Sequence, residues 1–163
     1  NTAFKLSPPL RSEDDRLAII EGIQDGTIDA IASDHRARSK DTKAQPFSAA
    51  SVGASGIETL FSITLDLVHK KIIDINKAIS FLTINPAKIF GIESSSLEEE
   101  KVADFIVFDE NEPHTIKQEN LKTSPTPFDG KKIHGKILAT FINGQVAFMN
   151  QIFKNKIIKW LMI

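Results

Sequence analysis

Gly26-Thr27-Ile28-Asp29-Ala30-Ile31-Ala32-Ser33-Asp34-His35 is the stretch that decides the fold. A glycine stop precedes a short β-branched apolar run, and two polar, titratable side chains follow it. That order predicts a buried strand over 27–33 with Asp34 and His35 at its carboxyl end. Upstream, Ser12 and Asp15 have capping-box spacing, and Glu13 and Asp14 suit the positive end of a helix dipole. Leu17, Ile19, Ile20 and Ile23 mark its apolar side, and Gly26 is placed to close it. Helix, glycine turn, strand and polar residues are the grammar of an α/β protein. In such folds the chemistry gathers at the carboxyl ends of strands.

Downstream, residues 36–55 read as a long polar loop, a length that suits the cover of a site. A helix is expected over 56–71, with Ile57, Leu60, Phe61, Leu65 and Val68 inward and His69, Lys70 and Lys71 at its negative end. Asp74 is the expected cap of the next helix, and Asn85-Pro86 reads as cap and first residue of a short one that Gly91 ends. Past Ser94-Ser95-Ser96 and Glu98-Glu99-Glu100 the pattern changes to strands: Phe105–Phe108, Ile133–Asn143 and Val146–Met149. Asn143-Gly144 between two apolar runs is a strong hairpin signal. The division expected is 1–97, 98–150 and a basic amphipathic tail helix over 151–163, where Phe153, Ile157 and Leu161 recur at helical spacing.

Composition narrows the function. The 163 residues carry 20 Lys+Arg against 21 Asp+Glu, a net charge of −1, which argues against a nucleic-acid binder. At 41% hydrophobic and 25% charged, the chain has the composition of a soluble globular protein. No cysteine is present, which removes disulfide scaffolds, Cys-based zinc modules and cysteine nucleophiles, and favours a reducing, cytoplasmic setting. No apolar run reaches the roughly 18 residues that span a bilayer, so no membrane role is expected. A start on Asn1 without a signal-peptide pattern reads as a piece of a larger protein.

Asp34 is the leading candidate for chemistry, as a metal ligand, a proton acceptor, or both. The competing reading makes Asp34 a cap for the next segment and His35 a locally bonded side chain. Arg36 and Arg38 have the chemistry to grip an anion, although a solvated basic loop explains them as well. His69, His114 and His134 read as structural. Zinc needs three or four protein ligands, and no paired His with ligand spacing occurs, so these residues alone do not build a metal site.

The chain resembles the C-terminal part of dihydroorotases, within the amidohydrolase superfamily, over about residues 1–149. The segments that carry the resemblance are Pro8-Pro9-Leu10-Arg11, Asp25-Gly26-Thr27-Ile28-Asp29, Ala32-Ser33-Asp34-His35, Gly56-Ile57-Glu58-Thr59, Asn85-Pro86-Ala87-Lys88-Ile89-Phe90-Gly91, Ala103-Asp104-Phe105-Ile106-Val107-Phe108-Asp109 and Thr126-Pro127-Phe128-Asp129-Gly130. Hydantoinases and allantoinases share several of them. The resemblance implies an α/β chain: the C-terminal part of a (β/α)8 TIM barrel followed by a small β-sandwich subdomain. It implies one or two Zn²⁺ ions and the reversible conversion of dihydroorotate to N-carbamoyl-L-aspartate, in pyrimidine biosynthesis. Asp34 then ligates metal and shuttles the proton, and Gly53 is a substrate-side position.

Three positions depart from the family pattern: Ser7 replaces an Asn, Arg38 a His, and Ser51-Val52-Gly53 a Pro-Phe-Gly. Glu99-Glu100-Lys101-Val102 stands where a Gly-rich turn is usual. The imidazole ligands of the family belong to strands before this chain begins, so the 163 residues alone are expected to be inactive. The rival reading is a non-catalytic homologue that serves as a structural partner of aspartate transcarbamoylase. A barrel strand without its neighbour leaves an open edge, which predicts a homo-oligomer with elements exchanged between copies.

Overall fold

The computed structural model describes residues 1–93, 96–123, 125–151 and 153–154. Local signals place the first helix. In α1 (Glu13–Asp25) the Ser12 hydroxyl accepts from the Asp15 amide while the Asp15 carboxylate accepts from the Ser12 amide, and Gly26 closes the helix in the left-handed region. The helix buries Ile23 but leaves Leu17 and Ile19 more than half exposed, so only one end of the expected apolar stripe is covered.

The expected strand over 27–33 is not formed. A ladder needs a second backbone alongside, and none is paired with this stretch among the described residues. The segment is held at single points, by the Ile28 amide on the Gly22 carbonyl (2.9 Å) and the Ile31 amide on the Phe81 carbonyl (3.2 Å). Its two isoleucines still point inward, while Thr27, Asp29 and Ala32 are exposed. Ile28 and Ile31 pack on Ile23, Ile73, Ala78 and Phe81 with Leu67, Val68 and Ile72, the main apolar core.

The loop after it contains α2 (Lys40–Lys43), capped by Ser39. The next helix, α3 (Leu60–His69), starts four residues later than expected, after a turn in which Ile57 is exposed. Asp74 caps α4 (Ile75–Ser80) through the Lys77 amide, as its position predicts. In α5 (Ile84–Phe90) the cap is Thr83, and Asn85 and Pro86 lie inside the first turn. Asn85 is not a cap because its side-chain amide donates to the Asp29 carbonyl instead (2.8 Å). Gly91 ends the helix in the left-handed region.

The C-terminal half forms one antiparallel sheet, ordered β1 (Phe105–Thr115), β2 (Lys132–Ile142) and β3 (Gln145–Met149). The β2–β3 hairpin turns on Asn143 and Gly144, both left-handed (φ 52° and 73°), the primed geometry that matches strand twist. Phe105 stacks on Phe141 across the pair (4.6 Å, 19°), and Phe61 meets Phe108 edge-on (4.9 Å, 77°), joining α3 to the sheet. Gly135 lets α3 lie against β2. It has φ 96°, and a Cβ there would stand 2.3 Å from Leu65 Cδ1. The Ser62 hydroxyl donates to the Gly135 carbonyl (3.2 Å) at the same crossing.

A helical turn begins after Asn150, with the Lys154 amide on the Asn150 carbonyl (2.9 Å). Residues 152 and 155–163 of the expected tail helix lie outside the described residues, as do Ser94 and Ser95 of the expected boundary. No helix among the described residues is long and apolar enough to cross a membrane.

Candidate active site

Asp34 follows the packed segment 28–33 and turns out of it. Its backbone sits at φ 40°, a region that few non-glycine residues enter and that Asp tolerates better than most. Strained backbone of this kind concentrates at functional positions. The side chain is 56% exposed and pairs with Arg36, Nε to Oδ1 at 3.0 Å. It therefore does not cap the next segment, a task that Ser39 performs.

His35 points the other way. Its Nδ1 accepts from the Gly56 and Ile57 amides (3.3 Å each), which leaves the proton of the neutral ring on Nε2. The two amides belong to the chain returning from the loop. The Arg36 amide adds a bond to the Ala54 carbonyl (2.9 Å), so residues 35–36 and 54–57 form a closed neck. Gly56 makes the close approach there, since a Cβ on it would lie 2.7 Å from the Ser33 carbonyl oxygen.

Inside the neck, Arg38 Nε donates to the Val52 carbonyl (2.8 Å). Gly53 is buried, at φ 114°, and its amide donates to the Lys5 carbonyl (3.0 Å). A side chain on Gly53 would press on Arg36, with Cβ 2.8 Å from Arg36 Cβ and 2.9 Å from its carbonyl oxygen. Asp34, Arg36, Arg38 and Gly53 are thus brought together at one mouth, and Lys5, two residues before Ser7-Pro8, is tied to it.

Two residues at this mouth gave no signal of their role in the sequence. Lys43 is buried beneath the loop, although a lysine in a polar stretch reads as solvated. Burial, with repulsion from Lys5 and Arg38, pushes its pKa down. Glu58, just beyond the neck, accepts from the Lys122 amide (3.1 Å), the Thr123 amide (2.9 Å) and the Thr123 hydroxyl (2.9 Å). Burial raises its pKa, but these hydrogen bonds outweigh it and hold the carboxyl below its usual range.

His69 and His134 stand apart from Asp34. His69 Nε2 bonds the Glu110 carbonyl (2.9 Å), and its ring lies over His134 at 4.5 Å, between α3 and the sheet. Among the described residues no three His, Cys, Asp or Glu side chains are grouped to hold a metal. A single carboxylate oxygen is the wrong donor set for a complete zinc site. These residues do not hold the ion by themselves.

The model of the amidohydrolase family matches residues 6–147. The chain belongs to that family. Within it the similar relatives are dihydroorotases: the one from Clostridium acetobutylicum is 40% identical over 150 residues, 90% of this chain and 35% of the relative. The dihydroorotase from Clostridioides difficile is 39% identical over 148 residues, again 90% and 35%. The chain therefore spans about a third of the length of the curated relatives it matches. Among solved structures, an L-hydantoinase (dihydropyrimidinase) from Arthrobacter aurescens superposes with a TM-score of 0.82 at 26% identity, over 89% of this chain and 34% of that one. A dihydropyrimidinase from Brevibacillus agri shares the fold at TM-score 0.80 and 24% identity, over 92% and 34%.

Proposed function

We propose that the chain is the C-terminal part of a dihydroorotase, with the last β/α units of a TIM barrel over 1–97 and a β-sandwich segment over 98–150. The full-length protein interconverts dihydroorotate and N-carbamoyl-L-aspartate. The observation that carries this reading is Asp34, presented to solvent in a left-handed turn at the mouth of a pinned loop, in a chain 40% identical to a dihydroorotase. The reading includes zinc, for which Asp34 supplies one oxygen ligand and the rest of the full-length protein the imidazoles.

Ring opening joins a water oxygen to the amide carbon, breaks the C–N bond and protonates the leaving nitrogen. Asp34 takes the proton from the water and passes it to that nitrogen, a task for an exposed carboxylate. Arg38 pairs with the carboxylate that both dihydroorotate and carbamoyl-aspartate carry. Gly53 leaves room for that approach because it has no side chain. The rival, a non-catalytic partner of aspartate transcarbamoylase, has no support in the fold or in the relatives.

The test is turnover of N-carbamoyl-L-aspartate and of dihydroorotate by the full-length protein supplied with zinc, with Asp34→Asn beside it. Activity that requires Asp34 is expected. A zinc-loaded protein that turns over neither compound overturns the reading.

A further inference from the structure

Lys43 is the one charged residue buried among the described residues, at 4% exposure. A buried cation is costly unless each of its donors is matched. The ammonium has three N–H donors, and three backbone carbonyls face it: Gly53 at 2.8 Å, Ser51 at 3.0 Å and Lys5 at 3.4 Å. The charges that act on it are those of Lys5 and Arg38, both of its own sign. Stability alone does not explain such an arrangement, since an apolar side chain of similar length would fill the space without the desolvation cost.

The choice of carbonyls supplies the reason. Ser51 and Gly53 flank Val52, and the Val52 carbonyl is the one that receives Arg38 Nε (2.8 Å). The ammonium holds the peptide groups on either side of the acceptor that orients Arg38. Through the Lys5 carbonyl, which also accepts from the Gly53 amide (3.0 Å), it ties the same loop to the N-terminal segment. The lysine is itself anchored, because the Thr2 hydroxyl donates to its carbonyl (2.5 Å).

We propose that Lys43 is a positioning residue: its ammonium clamps the Ser51, Gly53 and Lys5 carbonyls and so fixes the Val52 carbonyl and the Arg38 guanidinium on the substrate side of the mouth. This deepens the dihydroorotase reading and rests on it for its kinetic consequence.

The test compares the full-length protein with Lys43→Met by amide hydrogen exchange and by kinetics with N-carbamoyl-L-aspartate. The Ser51 and Gly53 amides are expected to exchange about tenfold faster or more, with the α1 and β2 amides unchanged. KM is expected to rise about tenfold with kcat within about threefold, the pattern of lost ground-state binding. If Lys43→Met does not fold, Lys43→Gln, which keeps two donors, is measured in its place. Unchanged exchange at Ser51 and Gly53 overturns the proposal. Faster exchange with an unchanged KM, or with kcat falling alone, overturns the link to Arg38. A wild-type protein without turnover overturns the dihydroorotase reading instead, and the exchange result still decides whether Lys43 holds the loop.

Discussion

Arg36 Nε lies 3.0 Å from Asp34 Oδ1, so the carboxylate at the centre of the proposed chemistry is held by a cation from its own loop. Both side chains are more than half exposed, at 53% and 56%. An exposed pair of this kind contributes at most about 1 kcal/mol. It orients the carboxylate without locking it away from a metal. Arg36→Ala is therefore expected to change the zinc affinity of the full-length protein by no more than about fivefold, measured by calorimetric titration.

Asp34→Asn separates chemistry from folding. Loss of the proton acceptor is expected to lower kcat by about 10²–10⁴-fold, the usual range for a positioned acid or base. The melting temperature is expected to move little, because the lost ion pair is solvated. A large drop in melting temperature with activity retained would show that the residue serves the fold.

Arg38→Ala removes the bond to Val52 and the partner proposed for the substrate carboxylate. A hydrogen bond to a charged group is worth about 1.5–3 kcal/mol, so KM for N-carbamoyl-L-aspartate is expected to rise about 10–100-fold. Arg38→His supplies the imidazole that the resemblance to dihydroorotases implies at this position, and an unchanged rate in that variant would count against a role for the guanidinium.

Acid is expected to loosen the packing of α3 on the sheet. Asp66 bonds both Lys70 and Lys131 at 3.0 Å. Burial raises its pKa, but the hydrogen bonds and charges of Lys131 and Lys70 outweigh it and hold the carboxyl below its ordinary value. A depressed carboxylate pKa gives stability that is complete above the unfolded value, near about 4, and is lost as pH falls through the folded one. Asp66→Asn is expected to flatten the fall of melting temperature below that pH, as followed by circular dichroism.

Gly135→Ala tests the crossing of α3 and β2. The new methyl collides with Leu65 and must take a positive φ. Overpacking costs about 1–3 kcal/mol and the left-handed backbone about 1–2 more, so urea unfolding is expected to show a loss of about 2–5 kcal/mol.

What was legible in the residues was local. The Ser12–Asp15 box, the Asp74 cap and the Asn143-Gly144 turn each depend on neighbours within a few positions, and each formed as expected. The segment 27–33 carries a strand's composition, but a strand is a relation between two backbones, and its own residues do not supply the second. Asn85 looked like a cap until the Asp29 carbonyl, far away in sequence, claimed its amide. The same distance hid Glu58, whose partners Lys122 and Thr123 lie far along the chain, while Lys43 was hidden because its own loop folds back over it with the Lys5 carbonyl. An exposed turn at Asp34 could be read from its place after an apolar run, while the pairing with Arg36 could not.

Glu58 has one more consequence. A single carboxylate takes two amides and a hydroxyl from the stretch that leads into Thr126. The Ser55 and Thr123 hydroxyls, 2.6 Å apart, rivet the same seam. Breathing between the helical layer and the sheet would have to shear all of these bonds at once.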